Sequence, residues 1–369
     1  MSETSSMILV GIGGGGAAVA HGVSRAFGGA MRLVTIDTDA STGQSDEAFL
    51  LIGGDRLAGR GAGGDVVAAR LAAEDSISAI DPAIEGVRLA VVVTTLGGGT
   101  GGGATLETVK HLDERGIPSI VFATTPFAFE GADRQRAARG VMSMIEEAAN
   151  ATFFIPLDKL VGNAERFDDA LRRAVDALAS VISLFWRLVE KPGYLRLDAE
   201  RIRHLLAKAG RGRFAAVSAQ GPDRAATIVD ALVRAPLLAT GSGPVRAILC
   251  GVLAGDDLLL KEIGTVSDGI RAAFGSHAAT FELATVNDEE TFSGRLSVVL
   301  LLFEGADSGS EAEKPGDVMS LRRRKRPGDG PLGVGPQGRG RFNSAEPTIW
   351  NGNDLDVPTF LRRNISLDV

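Results

Sequence analysis

Residues 96 to 103 read Leu-Gly-Gly-Gly-Thr-Gly-Gly-Gly and follow the apolar run Leu89 to Thr94 after a single residue, Thr95. A short, β-branched run without alternation predicts a strand buried on both faces, as in a parallel sheet. A glycine cluster between such a strand and a helix lets the backbone approach a phosphate group closely. This stretch therefore predicts an α/β sheet whose strands end in phosphate-binding loops.

A second glycine cluster, Gly11 to Gly16, follows the apolar run Met7 to Val10. It satisfies GxGxxG, as almost any glycine-rich run does. With Asp37 or Asp39 placed to hold a ribose, this cluster alone favours NAD binding in a Rossmann fold, or a tight turn without a ligand. Two such loops in one sheet, however, can hold two sides of a polyphosphate. The sequence contains no GxxxxGK[ST] motif, which excludes a P-loop NTPase.

Strand and helix patterns alternate through the first half of the chain, which predicts a Rossmann-like, mostly parallel sheet covered by helices. A long helix, Phe167 to Leu188, has apolar residues at three- and four-residue spacing. Further strand and helix patterns after it predict a second, smaller mixed α/β domain. We predict five segments: a nucleotide-binding domain at 1–166, a central helix at 167–190, the second domain at 191–303, a disordered linker at 304–353 and a partner-docking tail at 354–369.

Charge and composition argue against a nucleic-acid partner, secretion and a membrane span. The net charge is −7, so a nucleic-acid partner has no general electrostatic support. The basic run Arg322 to Arg326 lies in the polar linker and is typical of a solvated charge run. The start, Met1 to Ser6, is too short and polar for a signal peptide, and no apolar stretch reaches the ~18 residues of a membrane span. Cys250 lies in an apolar run and is typical of a core residue. We expect a cytoplasmic protein.

The cluster Leu96 to Gly103 resembles the GGGTG(S/T)G signature of the tubulin/FtsZ family, and the likeness extends over nearly the whole chain. Other stretches that resemble family motifs are Gly11 to Gly16 (the first phosphate loop), Thr38 to Ala40 (NTDA), Gly59 to Gly64 (the loop near the γ-phosphate), Pro126 to Gly131 (PFNFEG, with Arg134 at the family's arginine position) and Ile155 to Leu160 (IPNDKL). The stretch Leu355 to Arg362 is similar to the tail peptide LDIPAFLR of bacterial FtsZ.

The resemblance implies the tubulin/FtsZ fold, binding of GTP and GDP, head-to-tail filaments and a role at the bacterial division site. It implies Mg²⁺ held mainly by phosphates and water, and a tail that docks a membrane-tethering or regulatory division protein. The nucleotide-binding residues that it implies are Gly13, Gly14, Gly15, Gly16, Asp39, Gly61, Ala62, Gly63, Gly97, Gly98, Gly99, Thr100, Gly101, Gly102, Glu130, Arg134 and Asp176. Asp176 would accept hydrogen bonds from guanine N1–H and the 2-amino group, donors that adenine lacks.

Two departures from the family pattern bear on the chemistry. Next to Asp176, Val175 replaces an asparagine and Leu171 replaces a stacking phenylalanine, which is expected to weaken guanine recognition. The family's hydrolysis loop, NxDxxD, inserts into the next subunit; here it reads Arg196-Leu-Asp198-Ala-Glu200-Arg201. Only Asp198 keeps its place, and Glu200 comes one residue early. We interpret Arg196 and Arg201 either as surface changes that weaken the site or as one arginine that reaches the γ-phosphate in trans.

Three functions follow from these patterns. The first is a filament-forming GTPase of bacterial cell division whose hydrolysis is completed by the next subunit and is slow. The second is a nucleotide-binding filament protein that barely hydrolyses GTP. The third, from another class, is an NAD-dependent oxidoreductase, which NADH fluorescence enhancement would reveal.

Overall fold

The computed structural model describes residues 6–26, 31–43, 48–160, 166–191, 193–207, 209–240, 243–275, 280–304, 349–350 and 353–354. The chain forms two compact units, Met1–Ser308 and Gly309–Val369. In the second unit the described residues form one short antiparallel pairing, Ile349–Trp350 with Asn353–Asp354. The predicted tail peptide Leu355 to Arg362 lies outside the described residues.

Ten strands form one sheet in the first unit. They are β1 (Met7–Ile12), β2 (Arg32–Asp37), β3 (Phe49–Leu51), β4 (Leu89–Thr95), β5 (Ser119–Thr125), β6 (Ala151–Pro156), β7 (Gly210–Gln220), β8 (Ala247–Ala254), β9 (Thr280–Asn287) and β10 (Arg295–Phe303). Their order is β3-β2-β1-β4-β5-β6-β7-β10-β8-β9. Strands β3 to β7 in this order pair in parallel, whereas β10 runs antiparallel to both β7 and β8.

The helices that cover this sheet are α1 (Gly13–Ala26), α2 (Gly54–Leu57), α3 (Val66–Ser76), α4 (Asp81–Ile84), α5 (Gly99–Glu114), α6 (Ala132–Ala148), α7 (Phe167–Glu190), α8 (Ala199–Leu206), α9 (Arg224–Val233), α10 (Leu260–Phe274) and α11 (Glu289–Phe292). Single 3₁₀ turns occur at Ala40–Gly43, Ile77–Ile80, Ala128–Glu130, Leu157–Lys159 and Leu238–Thr240. Among the residues that the structure describes, no helix is both long enough and apolar enough to cross a membrane.

The parallel strands have apolar side chains on both faces, as their unbroken apolar runs predict. On one face, Leu9 and Val91 share a cluster with Ile182 of α7. On the other face, Val10 and Val92 share a cluster with Val109 of α5. Successive strand residues thus face opposite layers, and this double burial fixes the sheet between two helical layers.

Helix α7 is the element that connects the two halves of the sheet. Its residues Leu178, Ile182 and Phe185, spaced by three or four, are all buried in one core with β7, β8 and β10. At its amino-terminal part the same face packs on α1: a methyl group on Gly22 would lie 3.0 Å from Val175 Cγ1, and Val175 packs against the same core. The helix therefore holds the predicted nucleotide-binding half against the second half.

Two strands differ from the sequence expectation. The three-residue strand β3 is too short for periodicity to predict it. Strand β7 begins at Gly210, in the polar run Gly-Arg-Gly-Arg, four residues before the apolar stretch from Phe214 that predicts a strand. Pairing of Gly210 and Arg211 with β6, and of Gly212 to Gln220 with β10, holds this run in the sheet. Tertiary pairing here overrides weak local β-propensity.

Candidate nucleotide-binding site

The two predicted glycine loops lie against each other. Strands β1 and β4 are parallel neighbours, so their carboxyl ends meet at one edge of the sheet. Gly13 has a φ of +73°, which favours glycine, and a methyl group there would lie 3.5 Å from the backbone nitrogen of Gly101. The structure therefore brings together two loops that are about ninety residues apart in the sequence, as the polyphosphate hypothesis requires.

Several loop glycines are required by the packing. A methyl group on Gly16 would overlap the carbonyl oxygen of Val93, and one on Gly101 would overlap the carbonyl oxygen of Thr95. In contrast, a methyl group on Gly14 would have only Thr42 Cγ2 nearby, at 3.9 Å, and one on Gly98 would meet nothing within 4 Å. Gly14 and Gly98 thus border open space, where a ligand fits against the backbone.

The helix beginnings at these loops can bind an anion. No side-chain hydrogen bond caps α5 at Gly98, whereas the Asp65 side chain caps α3 by accepting from the amides of Val67 and Ala68. The first amides of α5, like those of any helix, have no intrahelical acceptor and lie at the positive end of the dipole. Phosphate oxygens are suitable acceptors for them.

A third loop and the turn after β2 complete this edge. The hydroxyls of Thr38 and Thr100 are 2.7 Å apart, and the amide of Gly61 donates to the carbonyl of Thr38 over 3.0 Å. Ala62 lies against Gly99, because a methyl group on that glycine would stand 2.9 Å from Ala62 Cβ. The predicted γ-phosphate loop, which includes Gly63, is therefore bound to the second glycine loop.

The aspartates after β2 support the turn. Buried Asp37 accepts from the amide of Thr38 over 2.7 Å and from the hydroxyl of Thr42 over 3.1 Å. Asp39 accepts from the hydroxyl and amide of Ser41 over 2.7 and 2.9 Å. The Ser41 hydroxyl, followed by its amide, lowers the pKa of the Asp39 carboxyl. Both carboxylates are thus engaged within their own turn, which argues against the ribose-holding role in a dinucleotide fold.

Glu130 and Arg134 form an ion pair beside the second glycine loop. Glu130 also accepts from the amide of Phe127 over 2.8 Å, which fixes the turn before α6. A methyl group on Gly97 would lie 3.3 Å from the carbonyl oxygen of Arg134. These two predicted contact residues therefore border the phosphate loops, with the arginine side chain exposed.

Asp176 is exposed on α7 and lines a cavity of about 330 Å³ together with Gly22 of α1. Nine residues of α1 separate Gly22 from Gly13, about 14 Å along the helix. The cavity that Asp176 lines therefore lies about 14 Å along α1 from the start of the helix at the first glycine loop. The side chain of Leu171 lies outside the described residues, and Val175 packs toward Gly22 instead of offering a hydrogen bond.

The predicted hydrolysis residues lie around the start of α8. Asp198 is the N-cap and accepts from the amide of Arg201 over 2.8 Å. Glu200 pairs with Arg203 at 2.6 Å, and Arg201 lies 3.7 Å from Glu282 of β9. Arg196 is exposed beside the buried Leu197.

This loop is far from the glycine loops of the same chain. The last residue of α7, Glu190, accepts from the amide and hydroxyl of Ser6, which precedes β1. Helix α7 therefore ends at the amino edge of β1, a strand about 20 Å long, whereas the glycine loops lie at its carboxyl edge. Leu195 is then bound to Thr285 of β9 through two hydrogen bonds of 2.9 and 3.0 Å. The two sets of residues are not brought together within one chain.

Two further residues at the carboxyl edge contact the candidate site, and the sequence analysis did not name them as binding residues. Thr38 bonds Thr100, and Arg60 pairs through its backbone with Asp39 while its side chain remains exposed. Both residues lie within stretches that resemble family motifs, so their position in these motifs could have identified them as candidate site residues. Among the described residues, no group of three histidine, cysteine or acidic side chains is arranged to hold a metal ion.

Comparison with known proteins gives consistent matches. A model of the tubulin/FtsZ family GTPase domain matches residues 6–165. The cell division protein FtsZ of Pseudomonas putida is 30% identical over 366 residues, which cover 96% of this chain and 88% of that protein. An empty FtsZ dimer from M. jannaschii has a TM-score of 0.74 at 23% identity and covers 86% of this chain and 94% of its own. CetZ2 from Haloferax volcanii, solved as a GTPγS-bound protofilament, has a TM-score of 0.68 at 24% identity and covers 82% and 94%.

Proposed function

The chain belongs to the tubulin/FtsZ family, and from this premise we propose that it is a GTP-binding, filament-forming protein of bacterial cell division. The family is one of GTPases, so GTP and GDP are its ligands. The proposal has three further parts: the chain hydrolyses GTP, it acts at the division site in the cytoplasm, and its tail docks a membrane-tethering or regulatory division protein. The observation that carries it is the separation of the glycine loops from the Asp198 loop by the length of β1.

A phosphate site and a separate acidic loop are two parts of one hydrolytic centre. Head-to-tail stacking puts the carboxyl edge of one subunit against the Asp198 loop of the next. Phosphoryl transfer to water needs mainly positioning and charge stabilisation. Asp198 would orient the attacking water, and Glu200 is the neighbouring acid that could replace it. Such a centre exists only in the assembled state.

The nucleotide contacts follow from the geometry of the carboxyl edge. The backbone amides of Gly13 to Gly16 and Gly97 to Gly102 would hold the phosphates, together with Thr100 and the loop Gly61 to Gly63. Glu130 and Arg134 would contact the ribose and its surroundings, and Asp176 would contact guanine. Mg²⁺ fits a site with few protein ligands, because it commonly binds through phosphate oxygens and water.

The test is phosphate release measured together with light scattering over a series of protein concentrations with GTP. We expect no turnover below a threshold concentration, and slow turnover above it that rises with the assembled fraction. Fast hydrolysis in dilute protein below the scattering threshold would contradict a shared site. Asp198→Ala should bind GTP and assemble but release no phosphate.

A second candidate is a nucleotide-binding filament that barely hydrolyses GTP. It is favoured by the hydrogen bonds of the loop acids, because Asp198 caps its own helix and Glu200 pairs with Arg203. Sedimentation with GTP and with GDP would separate the two candidates. Filaments that form with GTP and persist without phosphate release over hours would favour this second function.

A further inference from the structure

The arginines around Asp198 differ in what their side chains contact. The guanidinium of Arg201 lies 3.7 Å from Glu282 of β9. The guanidinium of Arg203 donates to Glu200 over 2.6 Å. Both are therefore directed to acids of their own subunit. Arg196 is exposed and precedes α8.

Local backbone geometry places Arg196 beside the acid of the loop. Leu197 is 5% exposed and anchors the segment in the main core. Asp198 has extended dihedrals, φ −79° and ψ 165°. Arg196 and Asp198, on either side of this buried residue, are both exposed and therefore point away from the core. Arg196 and Asp198 thus leave the loop on the same side, where a neighbouring molecule can reach both.

The carboxyl edge of the sheet needs a cation of this kind. Its phosphate-facing residues are glycines and threonines, and Asp37 and Asp39 lie just behind them. Arg134 is paired with Glu130. Arg60 is the other arginine on these loops and is exposed. During hydrolysis, negative charge builds up on the leaving oxygen of the triphosphate. The glycines, the threonines and the paired Arg134 would compensate this charge poorly.

We propose that Arg196 is a catalytic residue in trans: its guanidinium contacts the γ-phosphate of GTP in the adjoining subunit, next to the water that Asp198 orients. The inference rests on the proposed shared site. The water oxygen forms a bond to the γ-phosphorus as the bond to the β–γ bridging oxygen breaks. The electron pair stays on the β-phosphate of GDP, and both water protons go to inorganic phosphate, which leaves as H2PO4⁻ or passes one proton to solvent. The bidentate guanidinium stabilises the charge on the transferring group.

The first test compares single variants of the full chain. Arg196→Gln should lower phosphate release per assembled subunit by about 1,000-fold or more, in keeping with trans-acting arginines in other GTPases. Phosphate release is expressed per assembled subunit, measured by sedimentation of the same samples, because a side chain at the subunit contact also contributes to assembly. Arg196→Lys should keep an intermediate rate, because it retains the charge without the fork. Arg203→Gln is the matched control and should hydrolyse like the wild type.

The second test shows whether the arginine acts across subunits. Gly14→Glu puts a carboxylate in the phosphate loop, at a position where the fold has room. It should not bind GTP, but its Arg196 is intact. Mixing it with Arg196→Gln creates junctions in which an intact pocket meets an intact loop. Phosphate release by the mixture should exceed that of either variant alone.

The outcomes separate this inference from the proposed function. If the wild type hydrolyses GTP only when assembled and Asp198→Ala is inactive, but Arg196→Gln keeps the wild-type rate, only the arginine assignment fails. The same holds if Arg201→Gln or Arg60→Gln causes the large loss and Arg196→Gln does not. If the wild type hydrolyses GTP equally well below the assembly threshold, the shared site itself is wrong. The assignment is supported if Arg196→Gln loses phosphate release, Arg196→Lys keeps an intermediate rate, and the mixture of Arg196→Gln with Gly14→Glu recovers activity.

Discussion

Val175 and Asp176 are sequence neighbours on α7 with different surroundings. Val175 packs toward Gly22 of α1, whereas Asp176 is exposed at the rim of the cavity between α1, α7 and β10. The valine therefore packs between two helices, and the carboxylate faces the cavity. At this scale the proposed base-reading role rests on one acid without an amide beside it.

Asp176→Ala should weaken GTP binding by about 1–3 kcal/mol, because two guanine donors lose their acceptor. ATP binding should change much less, so the preference for GTP should shrink. Titration with fluorescent GTP and ATP analogues measures both affinities. Asp168→Ala, which removes an exposed acid from the first turn of the same helix, is the control and should leave the preference intact. Unchanged GTP affinity in Asp176→Ala would remove guanine recognition from this residue.

At the scale of elements, the start of α8 shows a residue with two roles. The Asp198 side chain caps the helix through the amide of Arg201, and the same carboxylate is the proposed water-orienting group. Loss of activity in an alanine variant could therefore reflect a frayed helix. An asparagine at this position keeps a capping acceptor and removes the negative charge.

Asp198→Asn should unfold at the wild-type temperature, assemble with GTP and release phosphate far more slowly than the wild type. Asp198→Ala should be equally inactive and also less stable by about 1 kcal/mol through the lost cap. Thermal unfolding and phosphate release on the same samples provide the comparison. An asparagine variant with normal turnover would mean that the carboxylate acts only as a cap.

Helices α9 and α10 are joined by a buried ion pair. Arg224 donates to Glu262 over 2.6 and 3.0 Å and to Asp257 over 2.7 Å. Arg224 and Glu262 are 5% and 8% exposed. The hydrogen bonds from Arg224 lower the pKa of Glu262 below its ordinary value of 4.5. Removing one partner of such a pair leaves an uncompensated charge and costs about 3–5 kcal/mol.

The lowered pKa of Glu262 predicts a direction for acid unfolding. Since its folded pKa lies below the unfolded one, its contribution is complete above about pH 4.5 and is lost as the pH falls through the folded value. Urea unfolding of the wild type and Glu262→Gln between pH 3 and 7 should give a difference that is constant above pH ~5 and shrinks below it. Glu114→Gln, an exposed acid on α5, is the control. A difference that grows on acidification would contradict the assignment.

At the scale of the whole molecule, the chain divides into two compact units. The first compact unit ends at Ser308, and the residues after it form a unit of their own. Every residue proposed to contact nucleotide or water lies in the first unit. The binding and hydrolysis that we propose thus belong to the first unit, and the proposed docking peptide belongs to the second.

Deleting Asp354 to Val369 should leave GTP binding, assembly and phosphate release unchanged and should abolish recruitment to the membrane. The reason is that the sequence predicts a disordered linker at 304–353, and an apolar peptide at the end of such a linker docks independently of the core. Fluorescence microscopy of the truncated and full-length chains in cells, with light scattering of both proteins, tests this. Normal localisation of the truncated protein would show that the tail is not the docking site.

Much of this protein can be read from its sequence because its main signals are local. Glycine clusters after apolar runs predict the loops at Gly13 and Gly97, and three- and four-residue spacing predicts α7, because backbone freedom and side-chain direction depend on a few adjacent residues. Only the tertiary structure decided the contacts between distant segments. Three such contacts join residues far apart in sequence: the Thr38–Thr100 hydrogen bond, the position of β10 between β7 and β8, and the Ser6–Glu190 hydrogen bonds. The last of these places the end of α7 at the edge of the sheet opposite the glycine loops. Such contacts depend on how the whole core packs, so no local pattern encodes them.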